Sequence, residues 1–168
     1  MRSVCLGLLA VVLSIAAPGV AGAGEIVTFA NGGMATGTII VRTSERRLYL
    51  VLGSGEAMRY PVGVGRRGRQ WAGTAYIDGK HLLPNWQPPD AVRADKPNLP
   101  DVIAGGSPSN PMGAAALTLS GGDYAIHGTN RPDSIGGFVS YGCIRMFNGD
   151  IADLYARVHV GTPVVVTR

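Results

Sequence analysis

One histidine and one cysteine in a glycine-rich stretch could together perform nucleophilic chemistry. His127 is followed by a glycine, and Cys143 stands sixteen positions later, after Gly142. A thiolate attacks a carbonyl carbon far better than a thiol, so a nucleophilic cysteine needs an imidazole to accept its proton and hold the resulting ion pair. These residue types predict Cys143 as the nucleophile and His127 as its general base.

The small number of cysteines supports this prediction. The chain has two cysteines, Cys5 and Cys143, and Cys5 lies in a segment that has the features of an export signal. Exported proteins fold in oxidising compartments, where structural cysteines usually occur in pairs. An unpaired Cys143 is then a liability unless it is used. The alternative is a buried cysteine that acts as a small hydrophobic side chain.

Residues 1–23 have the features of a cleavable signal peptide. Arg2 precedes an apolar run over residues 4–17, and the segment ends in Ala21-Gly22-Ala23, the small-x-small pattern that signal peptidases recognise. The run is shorter than the ~20 residues that a membrane-spanning helix needs. We therefore predict cleavage after Ala23 and a periplasmic protein with a single domain over residues 24–168 and no membrane span in its mature chain. An uncleaved anchor is the alternative.

Composition and motifs exclude several classes of function. The formal net charge is +4, and the arginines are mostly scattered, so nucleic-acid binding is not predicted, although a mildly basic surface would suit an anionic cell-wall polymer. The sequence has no His-Glu-x-x-His motif and no ligand cluster at metal-binding spacing, so neither a metal nor a cofactor is expected. The mature chain also lacks Ser-x-x-Lys, which disfavours a penicillin-binding-protein mechanism.

The elements that must position His127 and Cys143 are predicted to be mainly β-strands. Glycine and proline are frequent, strongly periodic helical segments are scarce, and short apolar runs end in turns. The first three predicted strands form a meander, and the others lead towards the reactive residues. The predicted strands cover residues 38–41, 47–52, 58–64, 71–77, 115–119, 124–127 and 163–167.

One helix is predicted after Cys143. Four apolar residues have the spacing i, i+3, i+4 and i+7 and share one face: Ile151, Leu154, Tyr155 and Val158. Asn148 is the candidate N-cap, and Asp150 falls in the first turn, where a carboxylate is favourable. Packed against the sheet, this helix would anchor the chain that leaves Cys143 and fix the direction of the nucleophile.

A long proline-rich segment separates the two halves of the strand pattern. Residues 82–112 contain seven prolines and little periodicity. Loops of this length without structure are uncommon unless they are functional or disordered. We predict an ordered lid or binding loop over the site, with disorder as the alternative.

The motifs around His127 and Cys143 resemble those of the YkuD (ErfK/YbiS) family of L,D-transpeptidases. The signature of that family is a His-Gly pair followed by Ser/Thr-His-Gly-Cys and then Arg or Asn. Here it reads His127-Gly128 and Ser140-Tyr141-Gly142-Cys143-Ile144-Arg145. Weaker matches upstream and downstream extend the resemblance over most of the mature chain. Tyr141 departs from the pattern, since the family most often has a second histidine there, and it could be a packing aromatic or a substrate-contacting hydroxyl.

The resemblance implies both a fold and a chemistry. The fold would be β-sandwich-like, with mixed sheets and one short helix after the cysteine. The chemistry would form 3-3 cross-links in peptidoglycan: the Cys143 thiolate attacks the third residue of a tetrapeptide donor stem, D-alanine leaves, and an amine of a second stem resolves the acyl-enzyme. The expected partners are therefore peptidoglycan stem peptides, and carbapenems are expected covalent inhibitors.

The remaining motif residues would surround the acyl group. Backbone amides near Tyr141, Gly142 and Cys143 could stabilise the tetrahedral oxyanion. The resemblance implies that a carbonyl near Gly128 holds the second nitrogen of His127. The carboxylates of three aspartates are then expected to be structural: Asp133, Asp150 and Asp153.

Three other residues have two open roles each. Arg145 could bind a stem-peptide carboxylate or support the loop. Ser140 could contact the substrate or cap the turn, and Thr129 could line the site or belong to the loop. His81 and His159 are predicted to have no catalytic role.

Other functions remain open at this stage. The same site could use water as the acceptor, which would make the protein an L,D-carboxypeptidase or a hydrolase of cross-links. It could instead join the amine of a wall protein to the stem. Because Tyr141 replaces a histidine, a non-catalytic peptidoglycan-binding module is a further alternative.

Overall fold

The computed structural model describes residues 24–30 and 32–168, so the predicted signal peptide lies outside the described residues. The described part is mainly β, which confirms the predicted class. None of its helices is long and apolar enough to cross a membrane. The strands are β1 (Glu25–Thr28), β2 (Ile39–Arg42), β3 (Arg47–Gly53), β4 (Glu56–Pro61), β5 (Val64–Gly65), β6 (Gly73–Leu82), β7 (Ala115–Leu119), β8 (Ala125–His127), β9 (Phe138–Ser140), β10 (Ile144–Arg145) and β11 (Pro163–Thr167). The helices are α1 (Asp90–Asp95) and α2 (Asn148–Arg157), with a 3-10 turn at Pro132–Ser134.

Nine strands form one mixed sheet in the order β1-β4-β3-β2-β11-β6-β7-β8-β10, and β5 pairs with β9. Most neighbours are antiparallel, whereas β11 runs parallel to β2 and β10 runs parallel to β8. β6 joins the two halves, because its first residues pair with β11 and its later residues pair with β7. The register shifts between Ile77 and Gly79, and such a bulge bends the strand and re-aims the chain.

One hydrophobic core receives side chains from both halves of the sheet. Leu48 and Tyr60 of the meander, Leu117 and Ile126 of the second half, and Leu154 of α2 are all fully buried. Burial of such side chains contributes roughly 1.5–3 kcal/mol each. A shared core of this kind fixes β8 and β10 relative to the meander.

The third predicted strand, over residues 58–64, is wrong in its extent. β4 ends at Pro61, and Gly63 pairs instead with Arg145. Proline has no N–H to donate to a strand ladder, so the chain leaves the meander there. It then passes beside the residues that follow Cys143.

The predicted helix after Cys143 is present as α2, which packs on β7 and β8. Ile151 and Leu154 are buried and Asp150 lies in the first turn, as expected. The prediction of Asn148 as the N-cap is wrong, since Phe147 occupies that position without a side-chain cap hydrogen bond. The Asn148 side chain is used by neighbouring loops instead.

The proline-rich segment follows a defined path and contains α1. A bridge between Trp86 and Ile103 closes it into a loop. The buried side chain of Asn110 holds its base, because its amide nitrogen contacts the carbonyls of Ile103 and two other residues of the segment, and its oxygen accepts from the amide of Met112. Hydrogen bonds from the Asn110 side chain to the backbone therefore order this segment, which has no hydrophobic periodicity.

Candidate active site

Adjacent parallel strands bring the histidine and the cysteine together. Ile144 pairs with Ile126 and Arg145 pairs with His127, so Cys143 lies one residue before this parallel ladder. Ile126 and Ile144 are buried in the core. Because side chains alternate along a strand, His127, Arg145 and Cys143 point to the opposite face. The pairing of β8 with β10 thus brings His127 and Cys143 close in space, although they are sixteen positions apart in the sequence.

His127 is buried and held by the backbone. Its Nδ1 lies 2.7 Å from the carbonyl oxygen of Gly128, the arrangement that the resemblance implied. An Nδ1–H that donates to this carbonyl leaves Nε2 as a proton acceptor. Burial, and then the positive charge of Arg145, lower the pKa of His127 to about 4, against the opposing effect of hydrogen bonds with the backbone. The imidazole is therefore neutral at physiological pH.

The Cys143 thiol is half-buried and donates to the carbonyl of Asp123, with 3.9 Å between sulfur and oxygen. Burial raises the pKa of the Cys143 thiol above its ordinary value, although a hydrogen bond from the Ala125 backbone and the charge of Arg145 oppose this. Burial thus disfavours the charged forms of both groups, so it opposes a resting ion pair of thiolate and imidazolium.

Gly142 brings the backbone into close contact with two aromatic rings. Its φ of 132° lies in a region that favours glycine, and its carbonyl accepts a hydrogen bond from Trp71 Nε1 at 3.0 Å. Trp71 stacks on Tyr124, with ring centres 5.1 Å apart. A β-carbon at position 142 would overlap the Tyr124 ring. The stack therefore clamps the peptide that precedes Cys143.

Ser140 shapes the same turn from the other side. Its buried hydroxyl donates to the Cys143 carbonyl at 2.6 Å and accepts from the Gly142 amide at 3.1 Å. Of its two open roles, the structure shows the turn contacts. The Gly142 amide is occupied by this bond, so the amides of Tyr141 and Cys143 are the remaining candidates among the three expected oxyanion donors.

Asn148 supports the loop that holds His127. Its Oδ1 accepts from the amides of Ala114 and Thr129, and its Nδ2 donates to the Thr129 carbonyl. A β-carbon at Gly128 would overlap Asn148 Oδ1. Thr129 is buried, and its hydroxyl accepts from the amide of Arg131, so it belongs to the loop. Asn148 was missed as a site residue because only the tertiary structure brings it to Gly128.

Arg145 presents a partly desolvated cation to a cavity of about 490 Å³. Its Nε is buried and has no hydrogen-bond partner in the described part of the chain. Burial lowers the pKa of Arg145, but guanidinium groups remain charged in proteins. We call this space the basic cavity after the cations that line it: Arg66, Lys96, Arg131 and Arg145. Arg66 and Arg131 have carboxylate partners, Asp95 and Asp133.

A second cavity of about 620 Å³ is lined by Asp123, whose carbonyl accepts from the Cys143 thiol. We call it the acidic cavity, because three carboxylates line it with Arg93: Asp78, Asp90 and Asp123. Cys143 lines neither cavity itself, but Asp123, whose carbonyl accepts from the thiol, lines the acidic cavity, and Arg145, two residues after the cysteine, lines the basic cavity. Trp86 of the proline-rich segment lines both cavities. The segment therefore lies beside the reactive residues, where a lid was predicted.

The remaining candidates lie apart from the thiol. Tyr141 donates its hydroxyl to Asp95, an exposed contact rather than a core one. Asp133 pairs with Arg131, and Asp153 accepts from Tyr60 and pairs with Arg157. His159 is exposed and contacts its neighbouring carbonyl. Within residues 24–30 and 32–168, no group of three or more potential ligands is arranged to hold a metal ion.

Solved structures of known enzymes share this fold. The catalytic domain of the Enterococcus faecium L,D-transpeptidase acylated by ertapenem matches with a TM-score of 0.61 at 18% identity, over 81% of this chain and 100% of that domain. L,D-transpeptidase 3 from Mycobacterium tuberculosis matches with a TM-score of 0.59 at 16% identity, over 78% of this chain and 60% of that one. At these identities the likeness shows the fold.

Sequence comparison identifies the family. The probable L,D-transpeptidase YbiS of Escherichia coli K12 is 39% identical over 135 residues, which is 75% of this chain and 43% of the relative. The putative L,D-transpeptidase YqjB of Bacillus subtilis is 50% identical over 70 residues, covering 39% of this chain and 40% of the relative. The chain thus spans less than half the length of these relatives. The profile of the YkuD family, described as the L,D-transpeptidase catalytic domain, matches residues 36–166. The chain therefore belongs to the YkuD family of L,D-transpeptidase catalytic domains.

Proposed function

We propose that the protein is a cysteine-dependent L,D-transpeptidase that forms 3-3 cross-links in peptidoglycan. The observation that supports this proposal is the pairing of β8 with β10, which aligns His127 with Arg145, two residues after Cys143. The imidazole is held at Nδ1 by Gly128, so Nε2 of His127 is the basic atom. We assign Cys143 as the nucleophile and His127 as the general base and acid.

The resting protonation state determines the order of events. Because both groups are neutral, His127 Nε2 takes the thiol proton as the sulfur attacks the carbonyl of the third stem residue. The tetrahedral oxyanion is stabilised by the amides of Tyr141 and Cys143. The imidazolium then returns its proton to the leaving nitrogen of D-alanine, and a thioester remains on Cys143. The amine of a second stem attacks this thioester, His127 accepts its proton, and the free thiol is restored.

The charges of the two cavities suit the two substrates of such a reaction. A donor stem carries carboxylates, which match the basic cavity and the unpartnered Nε of Arg145. An acceptor stem presents an amine, which matches the carboxylates of the acidic cavity. Asp123 and Arg145, which lie next to Cys143, line one cavity each, so in this proposal the acyl group passes from one stem to the other beside the thiol.

Replacing Arg145 with glutamine should raise KM for the tetrapeptide donor about 10- to 100-fold, the effect of losing a hydrogen bond to a charged group. Steady-state kinetics with a fixed acceptor would measure the change. Arg131→Gln is the matched control, because Arg131 lines the same cavity but already has Asp133 as its partner. Equal effects of the two substitutions would mean that the cavity attracts anions generally and that Arg145 has no specific contact.

The likeness to acylated enzymes supports a related proposal about inhibitors. The Enterococcus faecium domain is described as acylated by ertapenem, and a related structure holds imipenem. We therefore propose that carbapenems acylate Cys143 in this chain. Export to the periplasm, a cleaved segment 1–23 and a single domain over residues 24–168 are parts of the same proposal.

Mass spectrometry of the purified protein incubated with disaccharide-tetrapeptide tests the proposed reaction. Transpeptidation should yield a cross-linked dimer and free D-alanine, and Cys143→Ala should yield neither. Tripeptide without dimer would support the L,D-carboxypeptidase alternative. No product from the native protein would contradict the enzyme assignment for this substrate and favour a binding module.

A further inference from the structure

Tyr141 connects the cysteine loop to the proline-rich segment. Its hydroxyl donates to Oδ2 of Asp95 at 2.6 Å. Arg66 Nη2 contacts the same carboxylate oxygen at 2.6 Å. The Arg66 guanidinium also lies 4.1 Å from the centre of the Tyr141 ring. Three segments that are distant in sequence therefore meet at one carboxylate.

Asp95 is the last residue of α1, so this contact determines where α1 lies. The base of the segment is fixed independently by the buried Asn110. The helix itself has six residues and buries Val92, which gives it little core packing of its own. Asn110 therefore holds the base of the segment without Asp95, whereas Asp95 links the end of α1 directly to the loop that contains Cys143.

The same residues form the wall of the basic cavity. Arg66, Tyr141 and Val92 line it together with Arg145, so a shift of α1 would change its width. Asp95 also neutralises Arg66, which leaves Arg145 and Lys96 as the cavity cations without a carboxylate partner among the described ion pairs. The hydroxyl of Tyr141, and then Arg66, hold the pKa of Asp95 below its usual range, so the carboxylate is charged at neutral pH.

We propose that Tyr141, Asp95 and Arg66 form a latch that holds α1 against the basic cavity and thereby sets the affinity for the donor stem. The inference rests on the proposed function for its substrate. It makes Tyr141 a positioning residue, and it accounts for the tyrosine at a position where the family most often has histidine. A phenol oxygen lies further from the backbone than either imidazole nitrogen, so it can contact a partner in the lid.

The contacts of the latch are solvent-exposed, and each contributes little free energy by itself. The side chains of Arg66 and Asp95 are 42% and 43% exposed, and exposed ion pairs contribute little individually. The bond from the phenol to the carboxylate is charge-assisted. Two such contacts at one oxygen are expected to change substrate affinity by a modest factor, without controlling the folding of the protein.

Removing the latch should raise KM for the tetrapeptide donor about 3- to 10-fold and leave kcat within about two-fold, because the thiol and imidazole are unchanged. The variants are Tyr141→Phe, which keeps the ring under Arg66, and Asp95→Asn. Tyr141→Phe removes the bond and Asp95→Asn removes the charge that strengthens it, so the double variant should be no worse than the more affected single variant. Additive effects, or a fall in kcat at constant KM, would overturn the proposal.

Hydrogen exchange measures the latch without any turnover. Backbone amides of α1 should exchange faster in Tyr141→Phe and Asp95→Asn than in the native protein. The matched control is Glu45→Gln, since Glu45 also accepts from a tyrosine hydroxyl at 2.6 Å and contacts an arginine, far from the cavity. It should change neither α1 exchange nor KM.

The two readouts separate the possible failures. Unchanged exchange in α1 would overturn the latch, and faster exchange with unchanged KM would overturn its role in substrate affinity. A native protein that does not turn over stem peptides would contradict the proposed function, whereas the exchange comparison would still test whether Tyr141 holds α1.

Discussion

Substituting His127 with glutamine should slow acylation of Cys143 by a stem-peptide donor about 10²–10⁴-fold, the usual contribution of general acid–base catalysis. The effect is large because the resting thiol is neutral and must lose its proton as it attacks. Burial raises the pKa of Cys143, so few molecules carry a thiolate without the base. The rate is measured by intact-protein mass spectrometry at successive times after mixing.

His159→Gln is the matched control for this experiment. His159 also has its Nδ1 on the carbonyl of the next residue, at 2.9 Å, but it is exposed. In the His159→Gln protein, Cys143 should be acylated at the native rate. A loss of less than about ten-fold in His127→Gln would contradict the assignment of the base, since it would fall below the range expected for proton transfer.

The dependence on pH tests the same imidazole in a second way. Because the pKa of His127 is lowered from 6.5 to about 4, the acid limb of the acylation rate should lie near pH 4. Between pH 6.5 and about 4 the unfolded chain binds a proton at this imidazole and the folded chain does not. The free energy of unfolding should therefore be highest above pH 6.5 and should decrease as the pH falls towards 4. The loss should be about 3 kcal/mol. Urea unfolding of the native protein and His127→Gln would show the difference.

Replacing Gly142 with alanine should also impair the enzyme severely. The glycine has a φ of 132°, and a β-carbon would overlap the ring of Tyr124. The peptide before Cys143 must then move away from Trp71, which displaces the amides that we assign to the oxyanion. We expect acylation to slow about 10²–10³-fold, as for the loss of an oxyanion donor, and the free energy of unfolding to fall by roughly 1–3 kcal/mol.

Gly121→Ala separates backbone strain from the overlap. Gly121 also has a positive φ, of 81°, but a β-carbon there would meet nothing within 4 Å. It should lose about 1–2 kcal/mol of stability from strain and keep the native acylation rate. Equal acylation rates of Gly142→Ala and Gly121→Ala would contradict the role of the stacked Trp71 and Tyr124 rings.

Sequence patterns predicted the features that depend on local chemistry. The spacing of Ile151 and Leu154 indicated α2 because a helix repeats every 3.6 residues, and both side chains are buried. The strands of the meander followed from short apolar runs between turns. His127 and Cys143 stood out because few residue types can form a nucleophile and its base. Tertiary pairing alone brought them to one face.

Other features depend on contacts between distant segments, which local patterns do not encode. β10 has two residues, too few for any periodicity, and yet it fixes the register of the site. Asn148 was expected to cap a helix but holds the loop at Gly128, because its partners, Ala114 and Thr129, lie in loops that only the tertiary structure brings close. The neutral resting pair could not be foreseen either, since burial lowers the pKa of His127 and raises that of Cys143.

Cys143 is proposed to carry the acyl group of the donor stem. This is tested by the intact mass of the native protein mixed rapidly with tetrapeptide donor in the absence of an acceptor, followed by proteolysis to locate the adduct. We predict a mass increase equal to the donor less D-alanine, located on Cys143 and absent from Cys143→Ala. Release of D-alanine without an adduct on this sulfur, or an adduct that persists in Cys143→Ala, would contradict it.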